Sequence, residues 1–404
     1  MSPRVGHPMK GFFRGLGRNV VGLGFASFFT DLASEMATPL IPLLLETLPG
    51  GGRAALAWIE GAAESATSLL RIFSGWLSDR VGRRKPLIFL GYSVSGAVRP
   101  LYGLVQAAWH AGGIRIVDRI CKAVRLAPRD ALLADSCEPA LRGRAFGFQR
   151  AMDNLGGVLG MLIAWAILRT SMGRLREVFF ITGIPAVFVL GVVGLVLKDR
   201  PSSRPPARVK LTLAPFGSSF RWFLAVAAVF TLGNSSDLLL ISRLRDLGLG
   251  AEWIPLVWCG HTAVRMVTAI PAGLLADRFG KKRIILVGWL VYAAVYAGLG
   301  LTSTLAVALV LVGVYGLYWS LGESLLRALV ADLVPEDLRG TAYGLYWFAV
   351  GLAVLPANLL FSGAWTRWGA RPAFLLEAGF AVLAGALLLA LPVRKLGGIP
   401  APAG

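Results

Sequence analysis

Runs of about twenty apolar residues, parted by short charged or Gly/Pro segments, recur along the whole chain. As a helix, a run of that length crosses a hydrocarbon core of about 30 Å. Nothing else in the sequence limits the fold as tightly. Of 404 residues, 56% are hydrophobic and 16% charged, and mean hydropathy is +0.66. A soluble domain of this length cannot hide that much apolar surface, so a soluble enzyme and a disordered chain are both excluded. The runs predict spans over 19–46, 56–77, 86–107, 112–135, 143–168, 177–197, 218–241, 253–276, 283–302, 305–332, 341–364 and 371–392. Backbone groups in lipid must be satisfied within their own segment, so all are expected to be helices. The expected fold is an all-α integral membrane protein with 12 transmembrane helices. The basic N-terminus runs straight into an apolar stretch that carries Asp31 and Glu35 and lacks a small-residue cleavage site. It reads as a retained first helix, not a signal peptide.

The formal charge is +19. In a soluble protein that would suggest nucleic acid, but the placement argues otherwise. On the twelve-span reading, 22 Lys and Arg fall on one side of the membrane and 8 on the other. The richer side is cytoplasmic, with both termini inside, in a bacterial-type inner membrane. The basic surface is then explained by topology and by attraction to anionic lipid, and no nucleic acid is expected. Trp58, Trp109, Trp253, Trp365 and Trp368 fall near span ends and read as an interfacial belt. Cys121, Cys137 and Cys259 lie in separate segments without metal-ligand spacing, so no disulfide framework, metal or cofactor is expected. No phosphate-binding loop and no nucleophile motif is visible, which argues against an ATP-driven pump and against an enzyme.

The longest central connection, 198–217, is Pro-rich and basic. It divides the chain into halves 1–197 and 218–404, and two internal repeats support that division. Gly75-Trp-Leu-Ser-Asp79-Arg80-Val-Gly82-Arg83-Arg-Lys85 returns as Gly273-Leu-Leu-Ala-Asp277-Arg278-Phe-Gly280-Lys281-Lys-Arg283, at offset 198. Asp135 through Arg142-Gly143 returns as Asp332 through Arg339-Gly340, at offset 197. Duplicated halves are a common plan of secondary transporters.

The repeated loop GxLSDRxGRRK resembles the signature between the second and third helices of the major facilitator superfamily. Arg119-Ile-Cys-Lys122-Ala123 resembles that superfamily's RxxQG motif, with Lys for Gln and Ala for Gly. Gly156-Gly-Val-Leu-Gly160-Met161 resembles its fifth-helix GxxxGP motif, with Met161 in place of Pro. The runs PRDALLADS (128–136) and TDLASEM (30–36) are similar to those of a large bacterial subgroup. The resemblance covers nearly the whole chain. It implies two pseudo-symmetric six-helix halves, a central cavity lined by the first, fourth, seventh and tenth helices, and a monomeric solute carrier. It also implies that Asp79 meets the start of the eleventh helix near Gly340, and Asp277 the start of the fifth near Gly143. Such contacts would close the cytoplasmic side. The residues alone also allow a solvated Asp inside a positive-inside anchor.

Eleven cations remain inside the spans, and an intramembrane charge is a functional candidate by default. Arg115, Asp118, Arg119, Lys122, Arg125 and Arg129 fall on an arc of roughly 120° of one helix at ~100° per residue. Lipid cannot cover that face. Asp31 and Glu35 share a face of the first helix at i and i+4, where they would carry protons or counter Arg119 and Lys122. Asn234, Ser235, Ser236 and Asp237 in the seventh span would line the cavity or glue helices together. Glu323 and Arg327 form an i, i+4 pair on the tenth. Asp153, with Arg150 and Asn154, starts the fifth and is placed to reach the fourth. Arg71 and Arg99 have no partner evident in sequence.

The expected function is secondary transport of a small solute by alternating access, coupled to a proton or solute gradient. The basic stripe favours an anion such as an organic acid, a phosphorylated metabolite or a metal chelate. Broad-specificity drug or metabolite efflux is the first alternative. A membrane sensor or scaffold that kept the fold and lost transport is the second.

Overall fold

Turn residues mark the helix ends in this chain. Gly280 and Gly369, both at φ 89°, each form a one-residue joint between successive helices. That left-handed region is open to Gly and strained for other residues. Pro86 and Pro255 sit in the first turn of their helices, where the missing N–H costs nothing. The computed structural model describes residues 17–81, 83–138, 141–199, 212–335 and 338–391, with the side chains of 72, 75–81, 142, 143, 172 and 324 outside that description.

The described chain contains no strand, and helices occupy every interval expected from the sequence. In order they are α1 (Arg18–Ala37), α2 (Ile41–Glu46), α3 (Arg53–Val81), α4 (Lys85–Val98), α5 (Ala108–Asp135), α6 (Arg142–Thr170), α7 (Leu175–Ile181) and α8 (Gly183–Gly191). There follow α9 (Ser218–Leu232), α10 (Leu238–Asp246), α11 (Ile254–Phe279), α12 (Lys281–Leu301), α13 (Leu305–Tyr318), α14 (Ser324–Leu333), α15 (Arg339–Trp368) and α16 (Ala370–Leu389). Among the described residues, seven helical stretches are long and apolar enough to cross a membrane by length and composition. They are Arg18–Glu46, Arg144–Thr170, Leu175–Val196, Lys281–Leu301, Leu305–Leu333, Arg339–Trp368 and Ala370–Leu389. α3 and α5 carry more charge, and α9 is shorter. Apolar side chains point outward, with Leu195 80% and Ile270 76% exposed, as a lipid-facing surface requires. Trp58, Trp109, Trp253 and Trp368 are exposed as a belt predicts, whereas Trp365 is buried beneath Arg53.

The chain forms two compact units, one of Met1–Thr38, Phe73–Val105 and Val117–Ala207, the other of Pro39–Ile72, Gln106–Ile116 and Arg208–Gly404. α3 and α5 each supply a segment to both. In the first unit, Val20, Leu23 and Ala26 of α1 pack with Ile88 and Tyr92 of α4, Leu132 and Leu133 of α5, and Phe148 of α6. α1 and α6 approach closely because of Gly156 and Gly160. A Cβ on Gly156 would strike the Phe28 carbonyl, and one on Gly160 the Leu32 carbonyl. Small residues are what lets membrane helices come this close.

The second unit is built around aromatic rings. Phe230 of α9 stacks on Trp289 of α12 at 4.3 Å. Tyr292 and Tyr296 stack at 4.1 Å, and Tyr315 and Tyr318 of α13 close the cluster. The expected helix 218–241 is broken here. α9 ends at Leu232 and α10 begins at Leu238, with Gly233, Asn234, Ser235, Ser236 and Asp237 unwound between them. These residue types favour competing local hydrogen bonds over a helix. The freed groups are taken up by side chains. The Ser235 N–H donates to Glu377 Oε1 at 3.0 Å, the Ser236 N–H to Asn358 Oδ1 at 3.0 Å, and Tyr292 donates to the Gly233 carbonyl at 2.7 Å.

Candidate functional site

In the first unit, α5 turns Asp118, Arg119, Lys122, Arg125 and Arg129 inward, while Val117 is exposed on the other face. Asp118 is buried and accepts from Arg99 Nε at 3.0 Å, and from Ser95. Arg99 also donates to the Thr30 carbonyl at 3.1 Å. Asp118 is thus the counter-ion of Arg99, a partner that linear spacing does not reveal. Arg129 binds its neighbour Asp130 at 2.9 Å. Asp31 and Glu35 of α1 are half-buried, as are Arg119 and Lys122. Asp31 lies in the fields of Lys122 and Arg125 and close to Glu35 and Asp153. Asp153 accepts from Gln149 at 2.8 Å, and Gln149 also donates to Ser27 of α1 at 2.9 Å. Arg125 is 4% exposed, with its guanidinium 4.5 Å above the Tyr92 ring. Its Nε and Nη1 have no hydrogen-bond acceptor among the described residues.

Arg115 belongs to the second unit. Its Nε and Nη2 bind Glu60 Oε1 and Oε2 of α3 at 2.6 and 2.9 Å, and both side chains are buried. The guanidinium fork of Arg115, a residue expected to line the cavity, is engaged by Glu60. Of the unwound residues, Asn234 donates to the Tyr318 hydroxyl at 3.1 Å, and Tyr315 donates to Asp237 at 2.6 Å. Glu323 ends a π-helical turn, Trp319–Glu323, inserted between α13 and α14. It lies in the fields of Arg327, Arg265 of α11, and Arg71 and Glu64 of α3. Nearer one end, Arg53 holds both oxygens of Asp246 at 2.6 Å and stacks 4.4 Å over Trp365.

The repeated loops make repeated contacts. Arg84 pairs with Asp135 at the end of α5, and Lys281 pairs with Asp332 at 2.7 Å near the end of α14. Lys85 donates to the Gly194 and Leu197 carbonyls at 2.8 and 2.7 Å. Lys282 donates to the Leu389 and Leu391 carbonyls at 2.9 and 2.7 Å. Cations at helix C-terminal carbonyls satisfy orphan acceptors and oppose the helix dipole. Gly273 is half-buried, Asp277 is exposed, and Arg278 lies over Phe279 at 5.2 Å. The side chains of Gly75, Asp79 and Arg80, and all of Gly82, lie outside the described residues, while Arg83 is exposed. Reading the sequence for in-span cations passed over the in-span acids Glu60, Glu64 and Glu377, and the acceptor Asn358. The acids carried a signal of their own, since each is a charge within a predicted span.

The profile of the Major Facilitator Superfamily matches residues 23–357 and 265–403. The chain belongs to the major facilitator superfamily. It is similar to the MFS-type transporter MJ1317 of Methanocaldococcus jannaschii, 31% identical over 93% of this chain and 95% of that one. It is also similar to the multidrug resistance protein MdtG of Proteus mirabilis, 31% identical over 43% of each chain. The fold matches a crystal structure of the nucleoside transporter NupG with TM-score 0.80 and 11% identity, over 93% of this chain and all of that one. This superfamily member is a multi-pass membrane transporter of small-molecule solutes and not an enzyme.

Proposed function

We propose that this transporter is a secondary carrier of a small organic anion, driven by a proton gradient and working as a monomer by alternating access. It crosses the inner membrane twelve times, in six-helix halves 1–197 and 218–404 joined by the cytoplasmic linker 198–217, with both termini inside. Asp79 and Asp277 close its cytoplasmic side. The loop clamps recurring at offset 197, Arg84–Asp135 and Lys281–Asp332, support the duplicated halves. The observation that carries the anion reading is Arg125. It is a buried guanidinium with two N–H groups unmatched among the described residues, on the same face of α5 as Arg119 and Lys122. A buried donor without an acceptor is costly, and a carboxylate in the solute would satisfy it. Asp31 and Glu35, half-buried beside Lys122, are the proton carriers in this reading.

The test is uptake in proteoliposomes holding a pH-sensitive dye. Adding an organic acid should move protons inward with the anion, and Asp31→Asn or Glu35→Gln should uncouple the two movements. In detergent, Arg125→Gln should weaken anion binding about tenfold or more, as expected when a charge-assisted hydrogen bond is lost. A solute that is cationic and indifferent to Arg125→Gln overturns the anion reading. The partial match to MdtG favours a second reading, broad-specificity efflux. That reading requires expression to raise resistance to unrelated toxic compounds.

A further inference from the structure

The break between α9 and α10 gathers oxygen atoms around a buried acid that has no counter-ion. Glu377 of α16 is 1% exposed, and among the described residues it forms no ion pair. The charge in its field is that of Asp237, a second acid. Its contacts are the Ser235 N–H on Oε1 at 3.0 Å and the Tyr292 hydroxyl near Oε2 at 3.4 Å. Tyr292 has one proton to give, and the nearer Gly233 carbonyl takes it at 2.7 Å. The Tyr292 oxygen therefore faces Glu377 Oε2 with no proton between them.

Two more hydroxyls stand close to the same carboxylate. Ser235 Oγ lies beside it, and Tyr296, stacked on Tyr292 at 4.1 Å, lies in its field. Ser235 is 4% and Tyr296 0% exposed, and neither hydroxyl makes a hydrogen bond among the described residues. The main chain adds to this. Ser235 and Ser236 give their N–H groups to Glu377 and Asn358, so the Leu232 carbonyl at the end of α9 loses its helical donor. A helix C-terminus also carries the negative end of the dipole.

A buried carboxylate that faces other oxygens needs positive charge beside it. A water could join the hydroxyls but brings none. A single monovalent cation supplies that charge, and its usual ligands in membrane proteins are an acid, hydroxyls and the carbonyls of an unwound helix. A divalent ion would leave a surplus charge, and no cluster of three or more His, Cys, Asp or Glu suited to a metal occurs among the described residues.

We propose that Glu377, the Ser235 hydroxyl and the Gly233 carbonyl, with Tyr292 and Tyr296, form a binding site for one sodium ion at the break in the seventh span. The site lies wholly within the second unit and does not depend on the anion reading.

The test follows thermal unfolding of the purified full-length protein in detergent as NaCl replaces choline chloride at constant ionic strength. An ion held by the folded state raises the midpoint as its site fills. Sodium should do so saturably, and equilibrium dialysis with radioactive sodium should count one ion per chain. KCl should act far more weakly, because the larger ion must push apart close-packed rings and oxygens. Glu377→Gln should weaken sodium binding about tenfold or more, since the attraction of the full charge at low dielectric is lost. Ser235→Ala, which keeps the N–H contact to Glu377, should weaken it about two- to tenfold, as for one neutral polar contact. If Glu377→Gln does not purify as a folded protein, Ser235→Ala and the salt series on the unaltered protein decide. An equal response to potassium and sodium, or unchanged sodium affinity in whichever variant folds, would overturn the site. So would the absence of any saturable sodium response, the result expected if Glu377 carries a proton instead.

Discussion

The Arg115–Glu60 pair gives a sharp test of whether a charge inside this membrane protein serves the solute or the fold. Two N–H···O bonds of 2.6 and 2.9 Å join side chains that are 4% and 5% exposed. A charge-assisted bond contributes about 1.5–3 kcal/mol, so removing Arg115 forfeits two of them and leaves a bare carboxylate. Breaking a buried pair from one side costs about 3–5 kcal/mol. That corresponds to a loss of roughly two to four powers of ten in the folded-to-unfolded ratio. Replacing both partners with apolar residues of similar volume should be near neutral, or stabilising by about 1–4 kcal/mol, because the desolvation of two ions is relieved.

The perturbation is therefore a cycle: Arg115→Met, Glu60→Leu, and the two together. Unfolding is followed by circular dichroism in mixed micelles of rising sodium dodecyl sulfate content. Each single variant should unfold at clearly lower detergent fraction, and the double variant should return to the unaltered protein or pass it. Anion affinity in the double variant should be unchanged, since the fork of Arg115 is engaged by Glu60. A single Arg115→Met variant as stable as the starting protein refutes the pairing argument. So does a double variant that folds normally but no longer binds anions, because Arg115 would then belong to the site after all.

Gly160→Val should destabilise the first unit by about 1–3 kcal/mol through overpacking against the Leu32 backbone. Gly260→Val, at a helix position with nothing within 4 Å, is the control, and the same detergent titration measures both. Glu377→Leu strips the acceptor from the Ser235 N–H and should cost about 1–3 kcal/mol, while Glu377→Gln keeps a carbonyl oxygen and should recover part of that loss in the same titration. Topology is checked by labelling: Arg174→Cys should react only from outside and Pro205→Cys only from the cytoplasmic side, and labelling of both from one side breaks the twelve-span proposal.

Much of the fold was legible in the sequence because its rules are one-dimensional. Run length and apolar composition predict long helices, and helices occupy the expected intervals. Contacts near the repeated loops are similar too, since Lys85 and Lys282, one position out of the loop's offset of 198, both cap helix ends. The break at 233–237 was harder to read. Hydropathy runs through Gly233 to Asp237 with little interruption, and the unwinding holds because Glu377, Asn358 and Tyr292, distant in sequence, take up the freed backbone groups.

The charges of the site show where reading along a helix stops being enough. The arc from Arg115 to Arg129 holds five cations and one acid, and taken alone it describes a strongly basic face. In three dimensions Arg115 is neutralised by Glu60 and Arg129 by Asp130, while Asp118 is taken by Arg99 from another helix. Lys122 and Arg125 lie in the field of Asp31, with Glu35 and Asp153 close by. A stripe of charge on one helix is thus only half of an electrostatic statement, because each neighbouring helix can cancel it at a position that spacing does not predict. Arg125 stands apart for a physical reason independent of the count: its buried guanidinium, 4.5 Å from the Tyr92 ring centroid, has donors that the described residues do not match. If the anion proposal holds, Arg125→Gln changes solute affinity, because its donors are among those that pairing acids and bases across helices leaves unmatched among the described residues.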